Sequence, residues 1–356
     1  MSVLHPEISK KTNFFLYRYR FLLLYILIGF LSILLEVLCY QGLERVAITP
    51  PFSNLLGLIV GILLAFWLNV RYNFKIPSGK RNRAFVCFII ISTISVLLNY
   101  FFKKEFEQMG FSYAQARFIS AGVLFLIGYA LHRKYSFRDF KKVSVAIYAN
   151  GVEDIESIHK RVGSFPDIIH VDILDHTFNK ENHETRVYRL EVIKAYWPNK
   201  ELQVHIMSKQ PINWIKEVAS YADLIIFHYE CDEDISAVIK EIKTHQCRVG
   251  LALMMDTDID VAKPYLSDIN HLMLLTIATP GHSGQSFDSR ALKKIDALNH
   301  WSKRSSFDIC IDGGVNETNI GLLNVEIVVS GSSVLSHANP PLQIMRLQTS
   351  SNYESV

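Results

Sequence analysis

The sequence predicts two architectures in one chain: a four-helix transmembrane α domain, then an α/β (β/α)8 TIM barrel. Three observations carry this reading. Four stretches free of Asp, Glu, Lys and Arg crowd the first 135 residues. From Ser144 onward, short apolar runs alternate with amphipathic segments. Polar and glycine-rich clusters then recur where those short runs end. The boundaries that follow are 1–142 for the membrane domain, 143–348 for the barrel and 349–356 for a C-terminal tail.

Composition narrows the functional classes. The 356 residues hold 37 Lys+Arg against 34 Asp+Glu, a formal charge of +3 with no basic block, so no nucleic-acid partner is expected. A mean hydropathy of +0.17 is high for a wholly soluble protein. The five cysteines form no C-x-x-C pair and are odd in number. That argues against a disulfide scaffold or zinc ribbon and suits a reducing compartment.

The charge-free stretches are Phe21 to Leu35, Val46 to Val70, Ala84 to Phe102 and Phe118 to His132. A bilayer core takes about 20 mostly apolar residues. The second and third stretches reach that length alone. The first needs Glu36, and the fourth needs Arg117 or His132. The expected spans are about 20–40, 51–71, 84–103 and 115–134. No small-residue cleavage site follows the first and three more runs come after it, which argues against a signal peptide. Basic residues gather before the first span, between the second and third, and after the fourth. By the positive-inside rule both ends of the domain face the cytoplasm. The expectation is therefore a multi-pass protein of the cell inner membrane with a cytoplasmic barrel.

Glu36 is the one acid inside a predicted span, near its outer end, and an ionisable group in hydrocarbon often marks function. Asn69 and Asn99 are expected to hydrogen-bond between helices. Arg71-Tyr72-Asn73-Phe74-Lys75 closes the second span, and Lys134-Tyr135-Ser136-Phe137-Arg138 closes the fourth, 63 residues later. Aromatic and basic residues at a helix end suit an interfacial anchor; the repetition suggests a duplicated two-helix unit. Four short helices, the Asn69-x-Arg71-x-x-Phe74 ending and its echo resemble the GtrA-like membrane family. That resemblance implies handling of polyprenyl-phosphate-linked sugar in surface polysaccharide synthesis. Glu36, Asn69 and Arg71 are the membrane-domain candidates.

In the second part, strands are expected to begin near Val145, Asp167, Leu202, Leu224, Arg248, Leu272, Phe307 and Glu326. Helical patterns intervene: from Val152, then through Tyr188 to Ala195, Trp214 to Ala219 and Ile235 to Ile242. The remainder cover Asp260 to Leu266, Ala291 to Trp301, Glu317 to Leu323 and a last one from Pro341. Eight alternations in about 200 residues fit a small (β/α)8 barrel. A doubly wound open sheet is the alternative, but no G-x-G-x-x-G follows the first strand.

Barrel chemistry sits at the C-terminal strand ends. Strand two ends His170-Val171-Asp172, strand three Val204-His205-Ile206-Met207, and strand seven Ile311-Asp312-Gly313-Gly314. Residues i and i+2 share a face, so His170 and Asp172 both point inward. With His205 and Asp312 they form two imidazoles and two carboxylates, a divalent-metal ligand set. Taken singly, each is equally a core histidine or a helix-capping aspartate. Thr279 to Gln285 (with Gly281, Ser283 and Gly284), Gly313-Gly314 and Gly331-Ser332 supply loops in which backbone N–H groups can approach a phosphate. Each alone reads as plain turn chemistry. Together they point to a phosphorylated substrate.

The segment resembles ribulose-phosphate 3-epimerase, through His170 to Asp175, Val204 to Met207, Phe227 to Glu230, Pro280 to Phe287, Ile311 to Val315 and Ser330 to Val334. The resemblance implies that His170, Asp172, His205 and Asp312 hold one Zn²⁺, Fe²⁺ or Mn²⁺ ion. It also implies that Asp172 and Asp312 transfer protons through a cis-enediolate. His228 and Glu230 match as supporting groups. The chain departs from the family at Ala149, at His176, at Met254-Met255-Asp256, at Thr276 and at His282-Ser283. The expected function is a membrane-tethered, metal-dependent ketose-phosphate epimerase, an isomerase serving polysaccharide or lipid-linked sugar synthesis. The alternative is translocation of a lipid-linked sugar beside a non-catalytic sugar-phosphate-binding barrel. The expected partners are a sugar phosphate and membrane lipid, and an oligomer is compatible with either reading.

Overall fold

A segment crossing hydrocarbon must satisfy its backbone polar groups internally, and the N-terminal unit, Met1–Asp139, is built from helices. The computed structural model describes residues 6–74, 76, 81–111, 113–136, 141–148, 153–179, 188–282 and 284–350. Its helices are α1 (Pro6–Arg45), α2 (Pro50–Leu68), α3 (Arg81–Gln108) and α4 (Tyr113–Leu131). Proline opens α2, where its missing N–H is harmless. Among the described residues three segments are long and apolar enough to span a bilayer: Tyr19–Arg45, Pro50–Asn73 and Arg81–Phe102. Helix α4 has 19 residues. Helices α1 and α3 run beyond the expected spans because the Lys, Arg, Glu and Gln residues at their ends are good helix formers. Charge marks where a chain leaves hydrocarbon, not where its helix stops.

Two placements differ from the sequence expectation. Glu36 is not at a helix end, since α1 continues to Arg45. It lies against two glycines of α2: a Cβ on Gly57 would fall 2.8 Å from the Glu36 carbonyl, and one on Gly61 would fall 3.4 Å from Glu36 Oε2. Asn69 does not bridge helices. Its amide donates to Ala65 O in its own helix at 2.8 Å, since a short side chain reaches its i−4 carbonyl readily. The bond between helices comes from Asn73, whose Nδ2 donates to Phe21 O of α1 at 3.1 Å.

The echo has a structural counterpart. Helices α2 and α4 each end in a π turn, Asn69–Asn73 and His132–Ser136, at equivalent positions of the repeat. Each turn is spanned by a buried side-chain pair. Asn73 Nδ2 donates to Asn69 Oδ1 at 2.9 Å, and His132 Nδ1 lies 3.1 Å from Ser136 Oγ. Such π turns are rare and cluster at functional sites.

The second unit, Phe140–Val356, is a closed parallel barrel with strands in sequence order. They are β1 (Lys142–Tyr148), β2 (Ile168–Leu174), β3 (Glu201–Met207), β4 (Leu224–His228), β5 (Arg248–Met254), β6 (His271–Leu275), β7 (Asp308–Asp312) and β8 (Ile327–Ser330). Around them lie α5 (Ile155–Val162), α6 (Tyr188–Tyr196), α7 (Ile212–Val218), α8 (Ile235–Thr244), α9 (Arg290–Asn299), α10 (Ser332–Leu335) and α11 (Pro340–Thr349). Helix α5 begins at Ile155 because Asp154 caps it, accepting from Ser157 N at 3.0 Å.

Two expected helices are only 3₁₀ turns. Ile259–Tyr265 contains Pro264, which cannot donate to an α-helical ladder. Before Ile320–Leu322, Asn316 and Asn319 take the local backbone bonds: Asn316 N donates to Asn319 Oδ1 and Thr318 N to Asn316 Oδ1, both at 2.9 Å.

Side chains fill the barrel as layers, with Ile168, Leu224, Ile226, Met273, Ile327 and Val329 in the buried interior. A larger apolar shell lies between strands and helices. At the C-terminal end the interior turns polar.

Candidate metal centre and substrate cavity

Strand alternation turns His170 and Asp172 of β2 to one side, and the β2–β3 register sets Asp172 directly beside His205. Asp312 closes the group from the end of β7. His170 Nε2 lies 3.3 Å from Asp172 Oδ1 and 3.8 Å from Asp312 Oδ2. His205 Nδ1 lies 3.2 Å from Asp172 Oδ1 and 3.5 Å from Asp312 Oδ2. One donor atom from each of the four falls within 4.8 Å of the others.

The group is electrostatically poised. Burial opposes ionisation of Asp172, but hydrogen bonds and charge from His170 and His205 outweigh it and hold the carboxyl well below the usual range. Burial also opposes protonation of His205, and the Asp172 and Asp312 carboxylates reverse this, pushing the ring up to about 9. A divalent cation would take the place of such a proton. His170 supplies an independent sign. Its Nδ1 faces Gln203 Oε1 at 3.4 Å, while its buried Nε2, 3.3 Å from Asp172 Oδ1, makes no well-aligned hydrogen bond. A buried nitrogen aimed at two carboxylates suits a metal ligand, so the donor set fits the expected ion.

Above the quartet opens a cavity of about 310 Å³. Asp172 and Asp312 form its floor, and Gly281, Gly284, Gly313, Gly314, Gly331 and Ser332 all line it. Ser283 lies outside the described residues. Gly314 has φ +69°, and a Cβ there would meet Phe287 N at 2.5 Å. Only glycine lets the β7 and β6 loops approach so closely. Gln285 clips the β6 loop: its amide bonds Thr279 N and O at 3.0 and 2.6 Å and donates to His282 O at 2.8 Å.

The departures from the family take particular places. Thr276 Oγ1 sits between the Asp312 and Gly313 carbonyls at 2.8 and 2.7 Å, tying down the end of β7. Met254 lends its backbone N–H to Glu230 Oε1 at 2.9 Å. Asp256 is exposed and pairs with Arg290 at 2.7 Å. His176 is exposed near the mouth. Ala149 lies outside the described residues.

Sequence reasoning missed Gln203, Thr276's clamp and Asn316, which also lines the cavity. Gln203 lies two residues before His205 on the same face, a signal that strand alternation carries; the other two depend on loop geometry.

In the membrane unit, Glu36 and Asn69 line one cavity of about 200 Å³ together with His132, Ser32 and Tyr25. Arg71 does not join them. It is exposed, with its guanidinium 5.9 Å from the Tyr72 ring centre.

Comparison with known proteins agrees with this geometry. A model described as "Ribulose-phosphate 3 epimerase family" matches residues 143–335, and one described as "GtrA/DPMS, transmembrane domain" matches residues 24–137. Ribulose-phosphate 3-epimerase of Escherichia coli (strain K12) is 29% identical over 186 residues, covering 50% of this chain and 81% of that protein. The same enzyme of Buchnera aphidicola is 31% identical over 200 residues, covering 54% and 86%. That of Schizosaccharomyces pombe is 26% identical over 202 residues, also covering 54% and 86%. Gathered strand-end residues and a match over more than half its length place the chain in the ribulose-phosphate 3-epimerase family, an isomerase-class epimerase barrel joined to a GtrA-like transmembrane domain.

Proposed function

We propose that the barrel is a metal-dependent epimerase of a ketose phosphate, held at the cytoplasmic face of the membrane by its helices. The observation that carries this is the convergence of His170, Asp172, His205 and Asp312 donor atoms within 4.8 Å beneath a glycine-lined cavity. The four residues would hold the cation, and when bound it would supply Lewis acidity to a developing negative charge on the substrate.

The chain's own groups do the rest. Asp172, kept ionised by its histidines, removes a proton from the carbon beside the carbonyl. Asp312, reaching in from a separate strand, returns one from the other face. The roles exchange in the reverse direction, so one site inverts either configuration. The loops of Gly281, Ser283, Gly284, Gly313, Gly314, Gly331 and Ser332 receive the phosphate through backbone N–H groups. Among the described residues no Lys or Arg lines the cavity, and His282 is its one basic side chain, which suits recognition chiefly by backbone dipoles.

The test is solvent deuterium entry into a panel of ketopentose and ketohexose phosphates, using the full chain in detergent loaded with Mn²⁺, Fe²⁺ or Zn²⁺. The expected outcome is exchange at one carbon, reduced by about 10²–10⁴-fold in Asp172→Asn or Asp312→Asn. No exchange across the panel with metal bound would overturn the enzymatic reading.

A second role, handling of polyprenyl-phosphate-linked sugar by the membrane domain, is favoured by the GtrA/DPMS match and the paired π turns. Reporter fusions at both ends of the helical unit test the orientation. Both are expected to report the cytoplasm.

A further inference from the structure

We infer that the β4 pair His228 and Glu230 holds the His205 proton on Nε2 and so leaves Nδ1 as the nitrogen offered to the metal centre, which makes Glu230 a positioning residue although it touches no reacting atom. This rests on the metal-centre reading above.

His205 Nε2 lies 2.9 Å from His228 Nε2, and His228 Nδ1 lies 3.1 Å from Glu230 Oε2. Two imidazole nitrogens at that distance share one proton, so one of them is bare. Glu230 decides which. A carboxylate only accepts, so His228 keeps its proton on Nδ1 and presents a bare Nε2. His205 must then carry a proton on Nε2 and donate it. Its Nδ1 is left to face Asp172 Oδ1 and Asp312 Oδ2 at 3.2 and 3.5 Å.

The opposite arrangement is costly. A bare His228 Nδ1 would confront a carboxylate oxygen, two acceptors in a buried site. A doubly protonated His228 would aim its Nε2–H at His205 and drive that ring's proton toward the cation.

The device is anchored at its far end. Met254 N donates to Glu230 Oε1 at 2.9 Å, and Thr257 Oγ1 donates to the same oxygen. Both histidines are buried, and the Phe178 ring covers His228 with centroids 4.7 Å apart. One carboxylate therefore orients two rings in series, and partners of this kind commonly tune metal ligands.

The test uses the full chain in lipid bilayers, labelled with ¹⁵N-histidine and free of metal, by solid-state NMR. The His228 signals are identified by their loss in His228→Gln. The expected spectrum shows His228 protonated on Nδ1 and bare on Nε2, with a second tautomer emerging in Glu230→Gln. A proton on His228 Nε2 in the wild type overturns the inference.

Competition for Co²⁺ with a chromophoric chelator gives a second readout. His228→Phe removes the acceptor and is expected to weaken Co²⁺ binding about 10–100-fold with a changed visible spectrum. His228→Gln, whose amide oxygen replaces the acceptor, is expected to restore it. Undiminished affinity in a folded His228→Phe also overturns the inference. A wild type that binds no Co²⁺ instead defeats the metal-centre reading, and the NMR result alone then judges the tautomer.

Discussion

Asp172 and His205 are register partners on adjacent strands, and their side chains meet at 3.2 Å in a buried layer. The pairing matters because the barrel below them is filled by aliphatic side chains, Met273 and Cys310. A carboxylate and an imidazole placed there lose most of their hydration, which only paired charge or a cation can offset. Function thus sits where the barrel interior is least suited to a purely structural role.

A cation that binds the folded barrel and not the unfolded chain should stabilise it. At a hundredfold excess over Kd the gain is about 2.7 kcal/mol. Chelation is expected to lower the melting temperature of the barrel, and His170→Ala should abolish that difference. Calorimetry of the full chain with and without chelator checks this; equal melting temperatures would count against a bound metal.

Gly314→Ala places a methyl group 2.5 Å from Phe287 N at a φ of +69°. The backbone of the β6 loop cannot yield as a flexible side chain would. The expected loss is about 1–3 kcal/mol of stability. Because Gly314 also lines the cavity, KM for the sugar phosphate should rise. Thermal melts and steady-state kinetics together read both effects.

His271, buried at the start of β6, has its ring pushed down to about 4 by burial. The unfolded chain takes up this proton near the ordinary histidine value of about 6.5. Stability from the neutral ring is therefore present above about pH 6.5 and lost as pH falls toward 4, by up to about 3 kcal/mol. His271→Gln should flatten this part of the acid-denaturation curve. Melting temperatures at pH 7, 6, 5 and 4 provide the measurement.

Gly57→Leu would drive a side chain into the Glu36 carbonyl, only 2.8 Å from where its Cβ would lie. Close helix approach through small residues is what holds membrane hairpins together. The α1–α2 hairpin should therefore separate, seen as a lower detergent-extracted melting temperature or faster proteolysis. Gly42→Ala, where nothing lies within 4 Å, is the matched control and should change little.

Much of the site was legible from residue spacing. His170 and Asp172 share a face because strands alternate, and Asp312 precedes two glycines where a strand must turn. The quartet needed only the assumption of one barrel. Thr276 was harder: a threonine in a strand-to-loop segment reads as ordinary, and its clamp on the Asp312 and Gly313 carbonyls exists only after β6 and β7 pair. Likewise spacing alone points to Asn69 as a bridge between helices, but Asn73 does so, because the Asn69 amide is taken by Ala65 O of its own helix.

Periodicity and the distribution of charge along the chain determined the order of helices and strands, the division into two units and the residues at strand ends, since each of these is a local property. Which ring nitrogen faces an aspartate, which glycine touches a neighbouring loop and which helix Glu36 meets were decided only by tertiary structure. Those contacts join residues tens of positions apart, and their distances are set by how strands close into a barrel and how helices cross, which no stretch of sequence records by itself.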